Sequence, residues 1–252
     1  MFRLLTYNIH KAIGVDRRFD PDRIAAVLEY HDADIVLLQE VDRGVPRSDH
    51  FDLASHLAKR LRYDFRAVGM NVFLKKGRYG NATLTRFPIG RQHNLDLTVG
   101  ARKRRGAQHT RIIIPAHGRS AAMTLDVFNV HLGLLATERR RQVARLLASP
   151  DVAHLHESDA CIIAGDMNDW RGMLRRQRFA PAGFQCATNR RPVSRWSIRT
   201  FPSYAPTGGL DKVFYRGSLR LLHAYRSRLR VAKVASDHLP VIVEFEPTIR
   251  VG

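Results

Sequence analysis

The chain has 252 residues, 44% of them hydrophobic and 26% charged, long enough to bury one large core as a single domain spanning residues 1–252. Two cysteines suggest no disulfide framework, no apolar run reaches the length of a membrane span, and no signal-peptide pattern is seen; a cytoplasmic location is the expectation. The formal charge of +19 favours anionic partners such as nucleic acid, acidic lipid surfaces or phosphorylated small molecules, although arginine-rich codon usage yields the same excess without a ligand.

Residues 2–10 alternate as a strand that ends in Asn8-Ile9-His10. Asp20-Pro21 then reads as a helix start, with the carboxylate at the N-cap and proline in the first helical position. Ile35-Val36-Leu37-Leu38 is a buried type of strand running into Gln39-Glu40-Val41-Asp42. A second helix is expected over 51–61, a strand over 63–70 and a loop over 77–80. Residues 81–86 and 89–97 read as neighbouring strands broken at Pro88. The basic stretch Arg102-Lys103-Arg104-Arg105 is a solvated loop unless it lies beside a catalytic edge, where it would contact phosphate.

Strands are expected over 111–114 and 122–130, the second ending in Asn129-Val130-His131. Thr137 is placed as the cap of a helix that turns Val143, Leu146 and Leu147 inward and Arg139, Arg140, Arg141 and Arg145 mostly outward. Residues 160–164 form another buried strand, ending in Gly165-Asp166-Met167-Asn168. A weak repeat emerges, in which strand, Asn-x-His, helix and strand occur once in each half. Two such halves suggest two packed sheets with helices outside. A short basic helix is expected over 170–179, an arginine-rich loop around Arg190, Arg191 and Arg195, and strands over 210–215, 219–229 and 241–245. Before the last strand stands Ser236-Asp237-His238-Leu239-Pro240, where proline keeps the preceding residues extended or turned.

Asn8, Glu40, Asn129, His131, Asp166, Asn168 and Asp237 all lie at or just beyond strand ends. Singly, each is an ordinary strand terminus; on one edge of one fold they could line a single pocket. Glu40, Asp166 and Asp237 offer hard oxygen ligands and Asn8 and Asn168 neutral ones, a set that suits Mg²⁺ or Mn²⁺ and lacks structural-zinc spacing. Asp166 and Asn168, two apart, would share a face of an extended segment. His238 is the candidate base, with Asp211 either orienting it or simply salt-bridged to a neighbour such as Lys212.

Seven segments in order resemble the motifs of the endonuclease/exonuclease/phosphatase superfamily: Thr6-Tyr7-Asn8, Gln39-Glu40-Val41, Gly80-Asn81-Ala82-Thr83-Leu84, Asn129-Val130-His131-Leu132, Gly165-Asp166-Met167-Asn168, Leu210-Asp211-Lys212-Val213 and Ser236-Asp237-His238-Leu239-Pro240. The resemblance implies an α/β (α+β) fold, a four-layer α/β/β/α sandwich with two packed mixed sheets, and a Mg²⁺-dependent phosphoesterase. It implies a metal site at Asn8, Glu40 and Asp237, and catalytic roles for His131, Asp166, Asn168, Asp211 and His238: Asp166 and Asn168 would position the nucleophile and phosphate, and His238, paired with Asp211, would be the base or, in another version of the mechanism, a phosphate-binding imidazolium. His131 matches the phosphate-contacting histidine of the pancreatic deoxyribonuclease branch, where abasic-site endonucleases place a tyrosine; Asn81 would brace it. The expected substrate is a phosphodiester, with nucleic acid as partner. The alternative is a phospholipid or inositol-phosphate esterase at an anionic membrane. The sequence carries no signal for oligomeric state.

Overall fold

The computed structural model describes residues 1–116, 121–189 and 197–248; Arg190, Arg191 and Arg195 of the expected basic loop lie outside them. Twelve strands are paired into two six-stranded sheets. The first has the order β11-β12-β1-β2-β4-β3, built from Leu219–Arg226, Val241–Pro247, Phe2–Asn8, Ile35–Arg43, Arg78–Thr85 and Phe65–Phe73. The second has the order β5-β6-β7-β8-β10-β9, built from Ile89–Asp96, Gly106–Ile114, Met123–His131, Ala160–Asp166, Asp211–Arg216 and Gln185–Cys186.

Both sheets are mixed, and each contains one parallel pair made by the repeat. β1 pairs parallel with β2 after helix α1 (Pro21–His31), and β7 pairs parallel with β8 after helix α3 (Ala136–Leu147). A parallel pair needs a crossover, and the helix supplies it. Helix α2 (Leu53–Arg60) joins α1 outside the first sheet, and the four-residue α4 (Pro150–Ala153) follows α3 outside the second. A last short helix, α5 (Ala232–Ala235), precedes the Asp237-His238 loop.

Three apolar layers separate these four. The inter-sheet layer holds Leu4, Leu37, Leu125, Val127, Ile162, Val213 and Val243, all fully buried. Leu5, Val36 and Leu38 pack with Ile24, Leu28 and Leu57 of the helices over the first sheet, and Phe128, Ile163 and Phe214 with Val143 and Leu146 over the second. Adjacent residues of one strand thus enter different layers, as the two-residue period requires. Both faces of the central strands are buried, which is why they read as continuous apolar runs. Each such side chain contributes on the order of 1.5–3 kcal/mol.

Several local expectations are corrected. Residues 81–86 and 89–97 are not neighbours, because β4 and β5 belong to different sheets and Pro88 marks the crossing. The expected loop over 77–80 is mostly strand, since the β3–β4 hairpin turns at Gly77, at φ +79°. Thr137 lies inside α3, whose N-cap position is Leu135 with no side-chain cap. Arg139 is buried, not outward, and donates to the carbonyls of Gly133 and Leu134. Asp20 does cap α1, accepting from the Arg23 N–H at 3.1 Å.

Candidate active site

Register places the chemistry. In the second sheet His131 on β7 stands opposite Asp166 on β8, and Asp166 opposite Asp211 on β10, so three strands deliver one row of polar residues. Gly165 makes this possible: its φ is +140°, and a Cβ there would lie 1.9 Å from the Val130 carbonyl oxygen. In the first sheet Asn8 ends β1 in register with Gln39, immediately before Glu40. The pairing of β2 with β4 shifts between Leu38 and Val41, and Glu40 within that bulge has φ +57°. A bulge re-aims a side chain at the cost of local strain, and here the carboxylate reaches Lys11 and the neighbourhood of His131.

At the centre is Asp166, 2% exposed. Its Oδ2 accepts from Asn8 Nδ2 at 3.2 Å and lies 3.5 Å from His131 Nε2 and 3.7 Å from His238 Nε2. Its Oδ1 accepts from the Asn168 backbone N–H at 2.9 Å. The pair Asp166 and Asn168 does not share a face of an extended segment: Asn168 has φ +50°, and a tight turn brings it round to donate to the Leu132 carbonyl. His238 Nδ1 is 2.8 Å from Asp211 Oδ2, which also accepts from Thr200 Oγ1 at 2.5 Å. Lys212 instead donates to the Gly209 carbonyl, so the salt-bridge alternative for Asp211 is not the one adopted. Phe201 packs on the His238 ring at 5.0 Å.

The loop before β12 is folded by Ser236. Its hydroxyl donates to the Asn8 carbonyl at 2.7 Å and accepts from the His238 backbone N–H at 3.2 Å, tying this loop to the end of β1. Asp237 is half-buried, and its carboxylate lies within hydrogen-bond range of the same hydroxyl. Asn8 turns its oxygen to the His10 N–H and its amide to Asp166, so it enters the cluster as the group that holds Asp166.

Two expected pocket residues do other work. Asn129 is fully buried, donates to the Leu38 and Ala82 carbonyls of the first sheet and accepts from Gln39 Nε2, bolting the two sheets together. Asn81 donates to the Asn129 carbonyl at 2.9 Å, so it braces the strand that carries His131 rather than the imidazole. Lys11 and Thr200 are the contacts that sequence reasoning missed. Lys11 sits on a short turn at φ +63°, and no spacing rule points to it.

The charge states follow from burial and neighbours. Burial raises the Glu40 carboxyl, but its cationic surroundings, with the Lys11 ammonium bonded to it, outweigh this and bring the value down to about 2. Burial lifts Asp166 to about 6, helped by Asp211 and opposed by His238. For His238 burial disfavours the charged ring, yet Asp211 and Asp166 prevail and raise it to about 10. His131 is driven well below the ordinary value by burial and by Arg105. Glu40 is thus an ionised, half-buried oxygen donor, and the other expected ligands, Asn8 and Asp237, are likewise oxygen donors with no thiolate among them. That set fits a hard divalent cation such as Mg²⁺ or Mn²⁺.

The basic stretch lies beside this edge. Arg104 and Arg105 line a small cleft together with Glu40, Tyr79, Asn81 and His131. Lys103 stands 5.2 Å from the centre of the Tyr79 ring and Arg104 6.0 Å from that of Phe73. On the other flank, beyond Leu132, a cleft of about 450 Å³ is lined by Leu134, Leu135, Arg140, Trp170 and Met173 among others.

A sequence model of the Endonuclease/Exonuclease/phosphatase family matches residues 5–238. The chain belongs to that family. It is 32% identical to the uncharacterized protein YbhP of Escherichia coli (strain K12) over 257 residues, 96% of this chain and 95% of that one. Its fold is similar to an endonuclease/exonuclease/phosphatase from Beutenbergia cavernae (TM-score 0.76, 22% identity, 98% of this chain and 71% of that chain). It is also similar to a mannosyl-6-phosphatase from Bacteroides thetaiotaomicron (TM-score 0.72, 19% identity, 98% and 100%) and to truncated Caenorhabditis elegans TDP2 (TM-score 0.69, 16% identity, 97% and 96%). Members of the family hydrolyse phosphoester bonds, and this chain is a phosphoesterase of the endonuclease/exonuclease/phosphatase superfamily. Among the described residues no helix is long and apolar enough to cross a membrane.

Proposed function

We propose that this single catalytic domain is a divalent-metal-dependent phosphodiesterase of the nuclease type, working with Mg²⁺ or Mn²⁺. The observation that carries the substrate class is the position of residues 102–105 beside Glu40 and His131, where two arginines border the cleft. A phosphate chain leaving the catalytic edge in that direction meets guanidinium and ammonium groups at once. Both cysteines are free, which suits a reducing, cytoplasmic setting.

Glu40 and Asp237, with Asn8 alongside, are the residues that would hold the metal, whose contribution is to polarise the phosphoryl oxygens and steady the leaving oxygen. Asp166, fixed by Asn8 and the Asn168 N–H, is placed to orient the attacking water and take its proton. His238, its Nδ1–H held by Asp211, presents Nε2 toward the same point and stabilises charge on the phosphoryl group. His131 contacts a phosphoryl oxygen from the other side of Asp166.

A second reading rests on the opposite flank. Leu134, Leu135, Trp170 and Met173 are exposed together beside Arg140 and Arg171, a surface that suits insertion at an anionic lipid head-group layer and hence a phospholipid or inositol-phosphate esterase. A panel of DNA, RNA, inositol phosphates and dispersed phospholipid, assayed with Mg²⁺, with Mn²⁺ and with a chelator, decides between them. The nuclease reading expects chelator-sensitive cleavage of nucleic acid; turnover confined to lipid or inositol phosphates replaces it with the second.

A further inference from the structure

A second cluster of chemically able side chains lies outside the catalytic edge. His93 on β5 and His109 on β6 are direct cross-strand partners, so their rings project from the same face of the second sheet. Asp151, in the first turn of α4, comes down on both: its Oδ2 is 3.2 Å from His93 Nδ1 and its Oδ1 3.4 Å from His109 Nδ1. The three ligand atoms lie within 4.8 Å of one another. His109 stands opposite Phe128 on β7 and stacks on its ring. Phe128 precedes His131 by three residues, so the cluster is about 10 Å along the strand from the catalytic row and on the face toward the helices.

The decisive feature is the protonation pattern of His109, which is 1% exposed. Asp126 Oδ1 sits 2.6 Å from His109 Nε2 and is itself held by the Arg111 guanidinium at 3.0 Å. The Nε2 proton therefore belongs in that bond, and Nδ1 keeps its lone pair. Nδ1 is buried with no hydrogen-bond partner, yet it faces a carboxylate oxygen. A ring nitrogen facing a carboxylate calls for a cation between them, either a proton or a metal ion. Nitrogen and oxygen ligands each about 2.0–2.1 Å from a tetrahedral ion stand about 3.3–3.4 Å apart; the two imidazoles lie at similar spacings from Asp151, but each from a different oxygen of it, so the carboxylate turns one oxygen onto the ion when the site fills. A carboxylate behind the distal nitrogen of a ligating histidine is the usual arrangement for fixing its tautomer and raising its basicity.

We propose that His93, His109 and Asp151 form a zinc-class metal site, independent of the catalytic centre, with Asp126 as the group that orients His109. The donor set of two imidazoles and one carboxylate selects a borderline transition ion such as Zn²⁺ or Co²⁺ over Mg²⁺. His93 is half exposed, which leaves a fourth position to water. The ion would tie the β5–β6 ladder to α4, whose Asp151 is otherwise held here by His93, Arg91 and His109. Arg91, whose Nη2 lies 3.4 Å from Asp151 Oδ1, is the competing cation and must swing outward when the site fills; its side chain is 58% exposed, so the way is open.

The test is titration of the chelator-treated full chain with Co²⁺, read by visible absorption, and with Zn²⁺, read by thermal unfolding. One Co²⁺ per chain with the d–d band of a four-coordinate nitrogen–oxygen site is expected, together with a rise of several degrees in Tm on adding Zn²⁺. Both signals should persist in Glu40→Gln and vanish in His93→Ala, a change at an exposed position that leaves the core intact, and in Asp151→Asn. Absence of the band in the native chain assigns the cluster to a protonated His109 paired with Asp151 and overturns the site. So does a band that survives His93→Ala and is lost in Glu40→Gln, which places the ion at the catalytic centre.

Discussion

Asp211 at the start of β10 and His238 in the loop before β12 are joined by a 2.8 Å bond across the two sheets, between strands that share no ladder. Each residue is supported from behind. Thr200 donates to the same Asp211 oxygen, and Ser236 pins the His238 backbone while bonding the end of β1. A carboxylate at Nδ1 favours the charged ring and fixes the orientation that leaves Nε2 facing Asp166.

Removing that partner should cost rate with little cost in fold. Asp211→Asn keeps size and one acceptor but loses the charge, and is expected to reduce kcat on a generic diester such as bis(4-nitrophenyl) phosphate by about 10²–10⁴. His238→Ala should fall as far, and the double variant little further, because the two act as one unit. A double loss equal to the product of the single losses would separate them.

Glu40 provides the second test. Its carboxylate is half-buried, ionised and paired with Lys11 in a backbone bulge. Glu40→Gln preserves the shape and removes the charge, so the Mg²⁺ concentration for half-maximal activity should rise by about tenfold or more, with the chelated enzyme inactive in both forms. Loss of kcat at saturating metal, with the metal requirement unchanged, would point to a role in catalysis and not in metal binding.

The parts of the fold that were legible were those carried by period and caps. Asp20-Pro21 announced α1, and the doubled strand–helix–strand pattern announced two packed sheets with helices outside. What escaped was non-local. Nothing in residues 81–97 says that Pro88 ends one sheet and starts toward the other, since a proline between two strands marks a turn as readily as a crossing. Asn129 looked like a pocket residue because it stands two before His131; only the packed sheets reveal that its amide bridges them. For Asp211 the sequence left two partners open, and the choice of His238 depends on strands that meet from opposite ends of the chain. Lys11 and the His93–His109–Asp151 cluster depend on a left-handed turn and on cross-strand register, neither of which a linear spacing encodes.

Acid sensitivity of the fold should trace in part to His31, the last residue of α1. Its ring is 5% exposed, has Nε2 unpaired, and lies against Tyr30 and Tyr225. Burial, with the Arg3 charge, lowers its pKa to about 4. The unfolded chain then binds a proton near pH 6.5 that the folded chain refuses until about pH 4. Stability contributed by this site is therefore constant above about pH 6.5 and is lost progressively as pH falls to about 4. After discounting for solvent screening the loss is on the order of 1–2 kcal/mol. His31→Gln, which cannot titrate, should flatten this limb in urea unfolding at pH 7 and pH 4.5; parallel losses in the two proteins would remove His31 from the explanation.

The basic stretch supplies the prediction that bears most directly on substrate. Arg102 and Arg104 are exposed, and Lys103 and Arg104 rest over Tyr79 and Phe73 next to the Glu40–His131 cleft. If a nucleic-acid backbone crosses this loop, each lost phosphate contact removes nearly one unit from the slope of log affinity against log salt. Arg102→Gln with Arg104→Gln should therefore lower that slope by about 1–2 and weaken binding similarly across sequences. The turnover of a small diester, which has no extended backbone to lie along the loop, should fall much less than nucleic-acid binding does. Gel-shift or anisotropy titrations on DNA and RNA over a salt series, with the small-diester rate alongside, provide the comparison. A native slope left unchanged by both substitutions would detach the loop from the substrate path. Attention would then shift to the Leu134–Trp170 flank, where exposed apolar side chains and not arginines would carry the contact.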